Sequence, residues 1–140
     1  MHYEFIAIPD SEVPTAVDPA FQHAVTTYAS EADNTVSVWR AVPNDLLDFK
    51  PHDKTNPIRT ILVHQLLSER RFFAQFVGTD EPSVEELLTS SEKPAVQAYI
   101  DKCVWLVKRR LPQLAKGTGA WWLESRPFFG GLRRQRIWIF

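Results

Sequence analysis

Asn56-Pro57-Ile58-Arg59-Thr60-Ile61-Leu62-Val63-His64-Gln65-Leu66-Leu67-Ser68-Glu69-Arg70-Arg71-Phe72-Phe73-Ala74-Gln75-Phe76-Val77-Gly78 reads as one amphipathic helix set between a start and a stop. Asn56 offers a capping oxygen, and Pro57 has a fixed φ that suits a first helical position. Ile58, Leu62, Leu66, Phe73 and Phe76 fall within one arc of a 3.6-residue wheel, so a single face is committed to a core. Gly78 supplies a left-handed stop. A helix of about 20 residues is near 30 Å long, which sets the length of a helical domain.

The same grammar extends outward in both directions. Upstream, Asp18-Pro19 opens a helix whose stripe of Phe21, Val25, Tyr28, Ala32, Val36 and Trp39 ends at Pro43. Downstream, Ser83 and Glu86 have capping-box spacing, which predicts a short helix through Leu88 before the Thr89-Ser90-Ser91 break. Val96, Ile100, Cys103, Val107 and Leu114 form a third long stripe, with Pro112 straining its last turn and Gly117 ending it. Residues 117–131 are rich in Gly, Trp and Phe without a period, and read as a packed loop. The run from Leu132 to Phe140 reads as the opening of a fourth helix. With no strand alternation, the expected class is all-α, a four-helix bundle whose connections of roughly 15 residues call for at least one crossover.

Two consecutive segments also resemble a known family. They are Trp39-Arg40-Ala41-Val42-Pro43-Asn44-Asp45-Leu46-Leu47-Asp48-Phe49-Lys50-Pro51 and Ile61-Leu62-Val63-His64-Gln65-Leu66-Leu67-Ser68-Glu69-Arg70-Arg71-Phe72-Phe73. Together they resemble the DinB/YfiT-like proteins, in which a helix ends near such a Pro-containing turn and the next helix carries a histidine ahead of an acidic stretch. The resemblance covers most of the chain after about residue 18. It implies residues 1–17 as an N-terminal extension and 18–140 as a DinB-like bundle of up-down-down-up topology. It further implies a divalent metal, often zinc or nickel, held by three histidines, and relatives that are thiol transferases or hydrolases. Only His64 matches a ligand position. The family's other two ligands form an H-x-x-x-H pair on helix four, and the sequence ends at Phe140 before any such pair. The expectation is an incomplete metal site and no catalysis by the single chain. The alternative is a metal-dependent enzyme completed by another chain or by missing sequence.

Chemistry sets the weight of each candidate. A catalytic zinc takes three protein ligands at about 2.0–2.1 Å and keeps one open position. His64 lies at the edge of the apolar arc, near Thr60, Ser68 and Arg71 on the wheel, where it suits a polar groove. His2, His23 and His52 form no pair at helical spacing, and none is expected to be a ligand. Glu69 falls inside the apolar arc and needs a partner such as Arg40 or Arg110. Cys103 sits mid-stripe and reads as an inert core thiol. Trp39, Trp105, Trp121, Trp122, Trp138, Phe128 and Phe129 are candidate walls for a small-molecule pocket, with Trp121 and Trp122 the first to probe.

Composition bounds the rest. With 44% hydrophobic and 24% charged residues in 140, the chain suits one globular domain. No apolar run approaches the roughly 18 residues of a membrane span, and neither a basic leader nor a cleavage site opens the sequence, so a cytoplasmic protein with no membrane partner is expected. A lone cysteine excludes a disulfide scaffold. Residues 1–100 carry 7 basic and 15 acidic side chains, and residues 101–140 carry 9 and 2. The favoured reading is that the basic third packs beside the acidic part. A nucleic-acid contact through Arg126, Arg133, Arg134 and Arg136 is not expected, because no matching motif accompanies the charge. A short fourth helix would leave a groove uncovered. Homo-oligomerisation is therefore expected, with Ile137, Trp138, Ile139 and Phe140 entering a neighbour or folding back into their own core.

Overall fold

The computed structural model describes residues 5–88 and 92–140 and is predominantly helical. Its elements are α1 (Gln22–Arg40), α2 (Ile58–Phe72), α3 (Val84–Leu87), α4 (Val96–Ala115), α5 (Gly119–Leu123), β1 (Ser125–Pro127), β2 (Arg133–Gln135) and α6 (Arg136–Ile139). The Asp18 carboxylate accepts from the Ala20 N–H at 3.0 Å, and a 3₁₀ turn over Pro19–Phe21 leads into α1. Asn56 does not cap α2. Pro57 takes the cap position without a side-chain bond, and the Arg59 N–H donates to the Leu47 carbonyl at 2.8 Å. Tertiary packing thus supplies what the side chain was expected to give.

The end of α2 widens into a π turn, Phe73–Val77, in which the Gly78 N–H donates to the Phe73 carbonyl at 2.7 Å. Gly78 has φ 83°, as the stop requires. The Ser83/Glu86 capping box forms with both of its bonds. α4 continues through Pro112 to Ala115. Gly117 is not a left-handed stop, since it is absent from the positive-φ residues. Its role is close approach: a Cβ there would lie 2.6 Å from Trp121 and 2.7 Å from Trp122.

Two expectations change in the last quarter. The packed loop contains α5, whose Trp122 is fully buried and stacks on Phe21 at 5.4 Å. The fourth helix expected from Leu132 is instead strand β2 followed by the single turn of α6. β1 and β2 form an antiparallel hairpin in which Arg126 faces Arg134, turned by Gly130 at φ 65° and Gly131 at φ 75°. Two adjacent glycines in positive φ are the hairpin signal.

α1 lies along α4 as the main helix pair, and α2 packs against α4 more sparsely. Val25, Phe73, Val77, Leu111, Leu114, Trp122 and Ile139 fill one end of the core. Val36, Trp39, Leu47, Leu66, Leu87 and Leu106 fill the other. Each such side chain contributes about 1.5–3 kcal/mol on burial. The segment read as an N-terminal extension packs onto this core. Buried Asp33 accepts from the Ala7 and Ile8 N–H groups at 2.8 and 2.9 Å, and Ile8 and Ala16 are buried.

Candidate functional site

Between α1 and α2 runs a groove of about 560 Å³ with α4 as its floor. α1 contributes Tyr28, Glu31, Ala32 and Thr35, α2 contributes Ile61, His64, Ser68, Glu69 and Phe72, and α4 contributes Cys103 and Val107. These positions follow from helical spacing: Tyr28, Ala32 and Thr35 repeat on one face of α1, as Ile61, His64, Ser68 and Phe72 do on α2.

A buried ionic network closes one end of the groove. Arg110 has no exposed surface, and its Nε and Nη2 donate to Glu81 at 2.9 and 2.7 Å. Its Nη1 donates to the Tyr28 hydroxyl at 2.9 Å and lies 3.0 Å from Glu69 Oε1. The Tyr28 hydroxyl in turn donates to Glu69 at 3.3 Å, and the guanidinium stacks 4.0 Å from the Phe73 ring centre. Burial works against the charge of Arg110, but the hydrogen bond to Glu81 and the neighbouring negative groups outweigh it and hold the guanidinium more firmly protonated than usual. Burial, reinforced by Glu69, pushes the Tyr28 phenol well above its ordinary range. Of the two partners expected for Glu69, Arg110 serves; Arg40 instead lies over Phe5.

His64 stands exposed on the groove wall, where its Nε2 is 3.1 Å from the Ser68 hydroxyl. The donor set around it does not fit a metal closed by this chain alone. Among the described residues no group of three or more His, Cys, Asp or Glu is gathered to hold an ion. Glu69 is engaged by Arg110 and Tyr28, and burial pushes the Cys103 thiol up to about 12, far from a ready thiolate donor. His52 lies in an exposed turn, where its Nδ1 accepts from the Lys54 N–H at 3.1 Å. His23 is exposed on α1 beside Thr27, and His2 lies outside the described residues.

The aromatic candidates sit elsewhere. Trp39 is a core residue, Trp105 is partly exposed under Lys102, and Trp121 and Trp122 pack at the base of the bundle. Phe128, Phe129 and Trp138 form a cluster with Phe76 at the hairpin. The arginines weighed for nucleic acid have structural partners. Arg126 Nε donates to the Phe76 carbonyl at 3.1 Å, and buried Arg136 donates to the carbonyls of Val77 and Trp121 and pairs with Glu124 at 2.5 Å. Two cations thus meet the last carbonyls of the α2 segment, where the helix dipole favours positive charge. Arg133 bonds Ser125, and Arg134 lies over Trp138. The basic third does pack beside the acidic part, through Lys108–Glu12, Arg109–Asp80 and Arg110 with Glu69 and Glu81.

Sequence reading missed Tyr28 and Cys103 as groove residues, because a helical stripe does not distinguish a filled core from a walled groove. The available signal was Glu69 in an apolar arc, which required a polar network beside it. The chain matches no protein-family model, no curated protein and no solved structure. Among the described residues no helix is long and apolar enough to cross a membrane.

Proposed function

We propose that this chain is a DinB-like helical protein that binds a small molecule in the α1–α2 groove, with His64 as one donor of an incomplete divalent-metal site and no catalysis by the single chain. The observation that carries the reading is the groove itself, whose volume of about 560 Å³ lies in the range of small-molecule sites, roughly 300–1,000 Å³. Its lining is mostly apolar with a few convergent polar groups, as such sites require. A small molecule is preferred over a second copy's C-terminus as occupant, because the last two residues are already engaged in their own chain while Trp138 is 61% exposed at the hairpin, away from the groove. Ile139 is buried in its own core, and Phe140 packs against Tyr28, Phe73 and Trp122.

The second reading is a zinc- or nickel-dependent thiol transferase or hydrolase whose remaining ligands come from another chain or from additional sequence. The observation that favours it is the exposed His64 imidazole on the wall of a substrate-sized cavity. Metal analysis after equilibration with zinc or nickel and dialysis separates the two. The first reading expects well under one ion per chain, with that residual metal falling further in His64→Ala. One tightly held ion per chain, lost in His64→Ala, would establish the second.

A further inference from the structure

We infer that the groove selects an organic cation, an ammonium group carried on an apolar or aromatic body. This deepens the small-molecule reading above and rests on it. The argument is one of charge balance. Arg110 brings one positive charge to the buried network, and Glu69 and Glu81 bring two negative charges. Glu81 is 2% exposed and takes two of the guanidinium's hydrogen bonds, so Arg110 is committed to it. The carboxylate that shares Arg110 rather than holding it is Glu69, whose side chain is 32% exposed and lines the groove, so the pair of carboxylates carries one negative charge more than the arginine balances. Glu69 Oε1 meets Tyr28 and Arg110, which leaves Oε2 without a protein partner among the described residues.

Across the groove Glu31 adds a second carboxylate, and no lysine or arginine lines the cavity. An anionic ligand would therefore enter against two like charges, beside apolar walls that strengthen the repulsion. A neutral hydroxyl could donate one hydrogen bond to the Glu69 oxygen but would leave its charge unanswered. An ammonium would answer it and gain the faces of Tyr28 and Phe72, both groove residues. Ile61, Ala32 and Val107 offer the remaining contact to an apolar body.

Three probes of one shape and different charge test this: phenethylammonium, phenethyl alcohol and hydrocinnamate, titrated into the full chain and followed by the resonances of Ile61, His64 and Phe72. Phenethylammonium is expected to bind saturably and about tenfold more tightly than the alcohol, with hydrocinnamate weakest. Glu69→Gln should bring the ammonium-to-alcohol ratio close to one, and Glu31→Gln should lower it. Equal binding of ammonium and alcohol to the wild type, or a preference undiminished in Glu69→Gln, overturns the cation assignment while the groove stands as a binding site. Saturation by none of the probes overturns both. Should Glu69→Gln fail to fold, the exposed Glu31→Gln decides alone, and an unchanged ratio there also overturns the proposal.

Discussion

The C-terminal end of α2 and its middle are held in opposite ways. At its C-terminal end the chain is sealed: Arg126 and Arg136 meet the carbonyls of Phe76 and Val77, Arg136 stacks 3.9 Å from the Trp121 ring centre, and Trp122 and Ile139 fill the space behind. Along its middle, the face turned toward α1 is open, with Ile61 50% exposed and His64 in solvent. Both regions contain aromatic and charged side chains. The difference lies in what answers the charge. At the base, cations meet neutral carbonyls and one partly exposed carboxylate; at the groove, Arg110 meets an excess of carboxylate. Fixed dipoles make a closed structural joint, and an unbalanced charge makes a place where something else can bind.

Removing each cation sharpens the contrast. Arg110→Met strands Glu81, which has almost no access to water, and should cost about 3–5 kcal/mol, read as a lowered denaturation midpoint. Arg136→Met leaves Glu124 free to turn to solvent, since that side chain is 51% exposed, so the loss is confined to the abandoned carbonyls of Val77 and Trp121 and should be smaller, about 1–3 kcal/mol in all. Equal losses in the two variants would break the distinction. A groove substitution should scarcely register: Ile61→Ser is expected to stay within about 0.5 kcal/mol of the parent by the same measurement.

Acid provides the gentlest probe. The hydrogen bond from Arg59 holds the Asp48 carboxyl below its ordinary value, and the capping bonds of Ser83 do the same for Glu86. Because both are depressed in the folded chain, their contribution is full above the ordinary carboxylate range and is lost as pH falls through the lower folded values. Both lie near Leu47 and Leu87, away from the base, where the arginine-to-carbonyl bonds do not titrate. Amide protection, taken relative to the intrinsic rate at each pH, should therefore fall first in α3 and around residues 44–48, before it does in the β1–β2 hairpin. Simultaneous loss would show that the two ends are not independent.

Legibility in the sequence followed the range of the forces involved. The three long helices, the Gly78 stop and the Ser83 box depend on residues a few positions apart, and all were readable. The partner of Glu69 was readable as one of two arginines, since a buried carboxylate demands a cation but does not say from which helix. The 117–140 region was misread because its order is tertiary. Trp122 is placed by Phe21 and Gly117, and α6 begins where Arg136 reaches the end of α2. His64 does line a groove, but a mostly apolar one, and the groove's extent depends on how far α1 and α2 stand apart, which no local pattern encodes.

The π turn at Phe73–Val77 acts as a phase correction. One additional residue per turn rotates everything after it by about 100° relative to an unbroken α-helix. Across the turn Phe76 and Val77 are buried while Ala74 and Gln75 stay in water, and the final carbonyls meet the two arginines. Chain length between Phe72 and Gly78 is therefore a fixed count: shortening it by one exposed residue would turn the aromatic base away from its contacts, although no buried atom had been deleted.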